Sequence, residues 1–195
     1  MPTFEIALFA FVGGILPALV WLHFLLKEDE RCPEPRTLII LAMFTGMLAV
    51  PIVLPLEHLA RAFIPSLSTL SPLLDRFSLD RSFDLPVIIA WAAIEETVKY
   101  VLAAILILWR RQVDEPVDLV IYMLTVALGF AALENTLFVL NPLVTGDYLN
   151  STLTGSFRFL GATLLHVLAS GTVGVFLAFA FYKSSLYKII FGMIG

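Results

Sequence analysis

Apolar residues occur along this chain in long runs separated by short polar segments. A hydrocarbon core of about 30 Å requires about 20 helical residues, because each residue advances a helix by about 1.5 Å. The runs that reach this length are 4–26, 37–59, 85–109, 117–140 and 157–182. The pattern therefore predicts five membrane-spanning helices. A further apolar stretch after Lys188 is too short to span a bilayer, and it indicates a truncated sixth helix.

Composition supports a membrane protein, since 59% of the residues are hydrophobic and 14% are charged. We expect an all-α, polytopic transmembrane helical bundle that forms a single integral membrane domain over residues 1–195. The net charge of −4 argues against a nucleic-acid partner. Cys32 is the only cysteine, so an internal disulfide and a cysteine metal cluster are both excluded. The N-terminal run lacks a basic leader, and we interpret it as a retained first helix.

The distribution of basic residues predicts the orientation of the chain. Segments that follow the first, third and fifth runs carry more lysine and arginine than those that follow the second and fourth, and such segments usually face the cytoplasm. This predicts an extracytoplasmic N-terminus, an extracytoplasmic loop over 60–84 and a location in the plasma membrane. The richer side holds Lys27, Arg31, Arg36, Arg110, Arg111, Lys183 and Lys188, and the poorer side holds Arg61, Arg76 and Arg81.

Charged and polar residues interrupt three of the apolar runs. Each charged residue at the centre of a membrane helix costs about 2.5–3.5 kcal/mol on insertion scales, so such residues usually serve a function. Counted from the predicted outer end of each helix, the three interruptions lie at similar depths of roughly 15, 9 and 13 Å. They therefore predict one polar site shared by three helices. The interrupting residues are Glu95, Glu96 and Lys99, then Glu134 and Asn135, then His166.

The spacing within the third run suggests acid–base chemistry. Lys99 lies three and four residues after the two glutamates, so it can pair with either carboxylate on one helix face. Two neighbouring carboxylates in a medium of low dielectric constant do not readily ionise together, so one should hold a proton. A general acid and a general base would thereby be available, with Glu134 as a helper.

His166 has two candidate roles. It can donate a hydrogen bond to an oxyanion, or it can bind a metal together with Glu134 and one of Glu95 and Glu96. Three such ligands plus water are typical of a hydrolytic zinc site, so zinc is the candidate cofactor. Ser170 lies on the same helix face as His166, and Arg158 is either a partner for a site carboxylate or an interfacial anchor.

Other functions fit the same residues. Buried glutamate, lysine and histidine chains also occur in transporters and proton relays. A buried ion pair can also serve packing alone, in a non-catalytic membrane interaction or immunity protein.

Several segments resemble the PrsW family of intramembrane proteases, which we place with the Abi/CAAX-protease superfamily. The similar segments are DERCPEP at 29–35, EETVK at 95–99, GFAALEN at 129–135 and RFLGATLLH at 158–166. The resemblance implies hydrolysis of a membrane-anchored protein, such as an anti-sigma factor, near the extracytoplasmic side. It also implies that the catalytic residues are Glu95, Glu96, Glu134 and His166, through either glutamate-dependent or metal-dependent chemistry.

Overall fold

The computed structural model describes residues 3–28, 33–63, 85–183 and 185–195. Within these ranges the chain forms helices and turns and no strand. A π-helical turn at Ala104–Leu108 extends the helix Leu85–Ala103, and a second at Arg158–Ala162 joins the helices Tyr148–Phe157 and Thr163–Phe179. The α-helices are α1 (Thr3–Glu28), α2 (Arg36–Phe63), α3 (Leu85–Ala103), α4 (Pro116–Val144), α5 (Tyr148–Phe157), α6 (Thr163–Phe179) and α7 (Ser185–Ile194).

The all-helical, multi-pass architecture predicted from the sequence is confirmed. Four described segments are long and apolar enough to cross a membrane: Phe4–Lys27, Arg36–Ala62, Pro116–Val144 and Tyr148–Phe179. The predicted span at 85–109 corresponds to α3 and its π-helical turn, which carry three charged residues and are not among these four. The count of five spans therefore stays a prediction. Most of the predicted loop at 60–84 lies outside the described residues, because α2 extends to Phe63 and the description resumes at Leu85.

Two predicted helix boundaries differ from the structure. The fourth helix continues past residue 140 to Val144, because Pro142 lies in its last turns, where few main-chain hydrogen bonds remain to be lost. The fifth span begins at Tyr148 and not at 157. Gly146 reverses the chain with a φ of 79°, and the Asp147 carboxylate then caps α5 by accepting the Asn150 main-chain N–H at 3.1 Å.

Helix α4 lies at the centre of the bundle and packs against α1, α2 and α6. Small residues allow these helices to approach closely, as is common between membrane helices. A Cβ atom at Gly129 would collide with the main chain of Met43 in α2, and one at Gly46 would collide with the main chain of α4. Gly174 lets α6 approach α4 in the same way. These glycines therefore serve packing, which brings α2 and α6 against the helix that carries Glu134.

The start of α4 is fixed by a group of polar contacts that we name the α4 cap cluster, formed by Glu34, Asp118 and Tyr122. Pro116 occupies the first turn, and the buried Asp118 carboxylate accepts the main-chain N–H groups of Asp114 and Glu115, each at 2.9 Å. The Tyr122 hydroxyl donates a hydrogen bond to Glu34, which precedes α2. The cluster thus ties the beginning of α2 to the beginning of α4.

Candidate functional site

Three helical segments bring the predicted polar residues together around one imidazole ring. Helix α3 contributes Glu95, Glu96 and Lys99, α4 contributes Glu134, and α6 contributes His166. We name these five residues the His166 site. Each side chain contacts at least one other member on a different helix or on the next turn of its own helix. The structure therefore places the sequence-predicted residues in one cluster.

The two nitrogen atoms of His166 face different partners. Nε2 lies 3.0 Å from Oε2 of Glu134. Nδ1 lies 3.2 Å from Nζ of Lys99 and 3.5 Å from Oε2 of Glu95. The ring also meets Phe130 edge to face, with the ring centroids 5.1 Å apart. The imidazole is consequently held between a carboxylate on α4 and a carboxylate–ammonium group on α3.

The contact with Lys99 assigns different roles to the two nitrogen atoms of His166. An ammonium group has three donors and no acceptor, so Nδ1 must accept the hydrogen bond from Lys99 through its lone pair. Nε2 is then the ring nitrogen that donates, and Glu134 is its acceptor. His166 therefore directs the lone pair of Nδ1 toward α3, and its N–H group donates to Glu134 on α4.

Glu96 is held on both of its oxygen atoms. Oε1 accepts from the ammonium of Lys99, and Oε2 accepts from the Ser170 hydroxyl at 2.6 Å. Lys99 is completely buried, with an exposed fraction of 0%. Its Nζ atom also lies 4.3 Å from the centre of the Phe130 ring, a distance at which a cation is attracted to the ring face. A buried charge requires such partners, and Lys99 has an anion, an imidazole and an aromatic ring.

Arg158 fixes the carboxylate of Glu134 from the opposite side. Its guanidinium donates to Glu134 and, at 2.7 Å, to the side-chain oxygen of Asn135. The amide of Asn135 in turn donates to the Thr163 hydroxyl at 3.0 Å. The guanidinium carbon lies 3.8 Å from the centre of the Phe138 ring. Of the two roles considered for Arg158, the structure shows the carboxylate partner.

One further carboxyl group borders the site and was not expected from the sequence. Glu57 in α2 lies close enough to Glu95 for a hydrogen bond between the two side chains. The Trp91 indole N–H also donates to the main-chain oxygen of Glu57 at 3.2 Å, which joins the ends of α2 and α3. In the sequence, Glu57 lies near the end of the apolar run 37–59, a position typical of an interfacial residue. The sequence feature that could have identified Glu57 is an acidic side chain inside an apolar run.

The donor atoms of the site fit a divalent metal ion. Ligand atoms of Glu95, Glu96 and His166 all lie within 4.8 Å of one another. Carboxylate oxygen and imidazole nitrogen are ligands that zinc accepts. Glu134, a further ligand candidate from the sequence, does not belong to this group. It contacts Nε2 of His166, and a carboxylate in contact with one ring nitrogen commonly orients a histidine that binds a metal through the other.

Comparison with known proteins identifies the family. Residues 34–195 match the model of the PrsW family intramembrane metalloprotease. The chain belongs to the PrsW family. All five residues of the His166 site lie within the matched segment. Its placement in the wider Abi/CAAX-protease superfamily stays a prediction.

A curated relative supports the same assignment. The protein is 27% identical over 128 residues to Protease PrsW of Geobacillus kaustophilus (strain HTA426). This similarity covers 66% of the chain and 51% of the relative, so the chain spans about half the length of the curated protein it matches. No solved structure matches the chain. The family is thus shown by sequence, and the geometry of the site is described by the present structure.

Proposed function

We propose that this PrsW family member is an intramembrane endopeptidase that hydrolyses a peptide bond of a membrane-anchored protein. The observation that carries the proposal is the cluster of Glu95, Glu96 and His166, with donor atoms within 4.8 Å, on helices of a multi-pass bundle. Two adjacent carboxylates and an oriented imidazole are the groups that water activation requires. Membership of a family described as intramembrane metalloproteases supports the same reaction.

Glu95 and Glu96 have different roles in this reaction. One carboxylate of the Glu95–Glu96 pair accepts a proton from water as the water oxygen attacks the scissile carbonyl carbon, and the same carboxyl then delivers the proton to the leaving amine. We assign this role to Glu95, because its neighbour Glu57 can share a proton with it. Glu96 is held as an anion by Lys99 and Ser170.

The remaining polar groups hold the imidazole. Glu134 accepts from Nε2, and Arg158 fixes Glu134, so the lone pair of His166 Nδ1 is directed at the glutamate pair. This orientation supports the ligand role over the oxyanion role, because the ring N–H is engaged elsewhere. In the metal-dependent alternative, Glu95, Glu96 and His166 are the residues that would hold a metal such as zinc, and Glu95 would then be a ligand and not the free base. When bound, such an ion would polarise the scissile carbonyl and ease the deprotonation of water.

The predicted substrate is a membrane-anchored protein such as an anti-sigma factor, cut near the extracytoplasmic side of the plasma membrane. Two observations support this proposal. The distribution of lysine and arginine favours an extracytoplasmic N-terminus, and the residue count places Glu95, Glu134 and His166 in the outer half of the bilayer. The lipid bilayer is then the second partner, since it presents the substrate laterally to the site.

The test is cleavage of a panel of single-span membrane proteins by the purified full chain in detergent. The wild-type protein, Glu95→Gln, Glu96→Gln and His166→Ala should be compared, each with and without a chelator. We expect cleavage by the wild-type protein and its loss in the variants. Sensitivity to the chelator would distinguish metal-dependent from glutamate-dependent hydrolysis. Equal cleavage by wild-type and all three variants would refute the proposed site.

A proton relay is the second candidate function, because the polar contacts form a continuous series. The series runs from Ser170 through Glu96, Lys99, His166 and Glu134 to the guanidinium of Arg158. Such series carry protons in pumps and transporters. Acidification of vesicles that contain the purified protein, with no cleavage of any substrate, would favour this function.

A further inference from the structure

Lys99 has a position that the proposed chemistry does not explain. It is completely buried at the centre of the site, although a lysine is one of the costliest residues to bury. If Lys99 only neutralised the glutamate pair, contacts with the carboxylates would be sufficient. Instead, Nζ also lies 3.2 Å from Nδ1 of His166.

Lys99 contacts two of the three residues of the candidate metal group. Glu96 and His166 are two of the three residues whose donor atoms form the candidate metal group. Lys99 takes Oε1 of Glu96 and the lone pair of Nδ1 by hydrogen bonds. A lone pair that accepts a hydrogen bond from an ammonium cannot also be a metal ligand. Lys99 therefore already contacts two of the three side chains that would bind a metal ion.

We propose that Lys99 is an internal cation that occupies the metal position of the His166 site, and that metal binding displaces Nζ from Nδ1 of His166. The proposal rests on the proposed function only in that both assign Glu95, Glu96 and His166 as metal ligands. In the metal-free protein, Lys99 keeps the donors converging and limits repulsion between the adjacent carboxylates. Lys99 is thus a positioning residue that lowers the affinity of the site for a divalent ion.

The surroundings of Lys99 offer the displaced ammonium a second contact. The Phe130 ring lies within cation–π range of Nζ, at 4.3 Å from its centre. A small movement away from Nδ1 would keep this contact while freeing the lone pair. The ammonium would still repel a divalent ion, because charges separated by a few ångströms interact strongly where water is scarce. Removal of the positive charge should therefore strengthen metal binding.

The experiment measures the dissociation constant for Zn²⁺, by calorimetric titration of the full chain in detergent after removal of metal. Lys99→Met and Lys99→Gln remove the charge at similar side-chain length. We expect both to bind Zn²⁺ at least about tenfold more tightly than the wild-type protein. Lys99→Arg keeps a positive charge and should bind as weakly as wild type. Lys183→Met, which alters an exposed lysine away from the site, is the matched control and should have no effect.

A purely structural lysine would give the opposite result, because its loss would disorder the ligands and weaken Zn²⁺ binding. Equal or weaker binding by both neutral variants therefore overturns the proposal. Thermal unfolding provides a second measurement. At one Zn²⁺ concentration, chelation should lower the midpoint of the wild-type protein less than that of Lys99→Met, since a ligand stabilises the folded protein more when it binds more tightly. An equal or larger loss in the wild-type protein would overturn the proposal.

Failure of this proposal and failure of the proposed function are distinguishable. The affinity for Zn²⁺ and the unfolding midpoint are measured without substrate. If the wild-type protein cleaves substrate but the neutral Lys99 variants bind Zn²⁺ no more tightly, the proposed function stands and the proposal for Lys99 fails. If these variants bind Zn²⁺ more tightly but no substrate is cleaved, the proposal for Lys99 stands and the proposed function fails.

Discussion

Buried and half-buried carboxylates occur in two regions of this protein, and their partners differ. In the α4 cap cluster, Asp118 accepts two main-chain N–H groups at a helix start, and Glu34 accepts from a tyrosine hydroxyl. In the His166 site, carboxylates from different helices meet an ammonium, a guanidinium and an imidazole. The first arrangement satisfies main-chain donors at the start of α4 and ties that start to the segment before α2. The second brings together charged side chains that are not needed to cap a helix.

The difference separates a structural carboxylate from a reactive one. A carboxylate bound by main-chain donors stabilises a fixed backbone, and proton transfer there would break the cap. A carboxylate that shares a cation with an imidazole can exchange protons or ligands with little change in the backbone. We therefore expect substitutions in the His166 site to affect catalysis more than folding, and substitutions in the α4 cap cluster to do the opposite.

The largest effect is expected from the glutamate pair. Glu95→Gln removes the proposed base and should lower kcat for cleavage about 10²–10⁴-fold, the range that general acid–base groups contribute. Glu96→Gln should lower cleavage as well, because it removes the anion held by Lys99. Steady-state cleavage of a single-span substrate measures both. Glu5→Gln, at an exposed position in the first turn of α1, is the control and should retain full activity.

Arg158 tests whether the site also depends on a fixed Glu134. Arg158→Ala leaves the Glu134 carboxylate, with 16% of its side chain exposed, without its guanidinium partner. Removing one partner of a buried ion pair typically costs about 3 kcal/mol or more, so thermal unfolding in detergent should begin at a clearly lower temperature. Arg158→Lys keeps the charge and should lose less. Identical unfolding of the alanine variant and wild type would show that this pair does not orient Glu134.

Ser170 should have a smaller effect on catalysis. Ser170→Ala removes one donor to Glu96, and a hydrogen bond to a charged group is worth about 1.5 kcal/mol, so cleavage should fall by up to about tenfold. Thr172→Ala is the control, because the Thr172 hydroxyl donates only to the Leu168 main-chain oxygen within the same helix. A loss in the control equal to that in Ser170→Ala would mean that the effect comes from α6 and not from Glu96.

The smallest effect on catalysis is expected in the α4 cap cluster. Asp118→Ala removes the acceptor for two main-chain N–H groups and should lower the free energy of unfolding by about 1 kcal/mol, which is a few degrees in the midpoint. The value of kcat/KM for the folded variant should stay at the wild-type level. If cleavage were lost while the variant remained folded, the distinction between the two regions would fail.

Much of the site was predictable because charges in an apolar run are conspicuous. The cost of burying Glu95, Glu134 or His166 is visible in the linear sequence, and counting residues along each helix gives a similar depth for all three. Glu57 was missed because its depth is that of a span end, where acidic residues are common. Only its proximity to Glu95 across two helices shows that it borders the site.

The sequence by itself determined the all-helical membrane architecture and the residues that form the polar cluster. The length of an apolar run and the cost of a charged residue within it can be read from the linear sequence, because neither depends on which residues are neighbours in space. Only the tertiary structure decided which imidazole nitrogen faces which carboxylate, that Arg158 reaches Glu134, and that Lys99 lies among the candidate ligands. These depend on helix rotation and side-chain direction, because adjacent residues on a helix point about 100° apart.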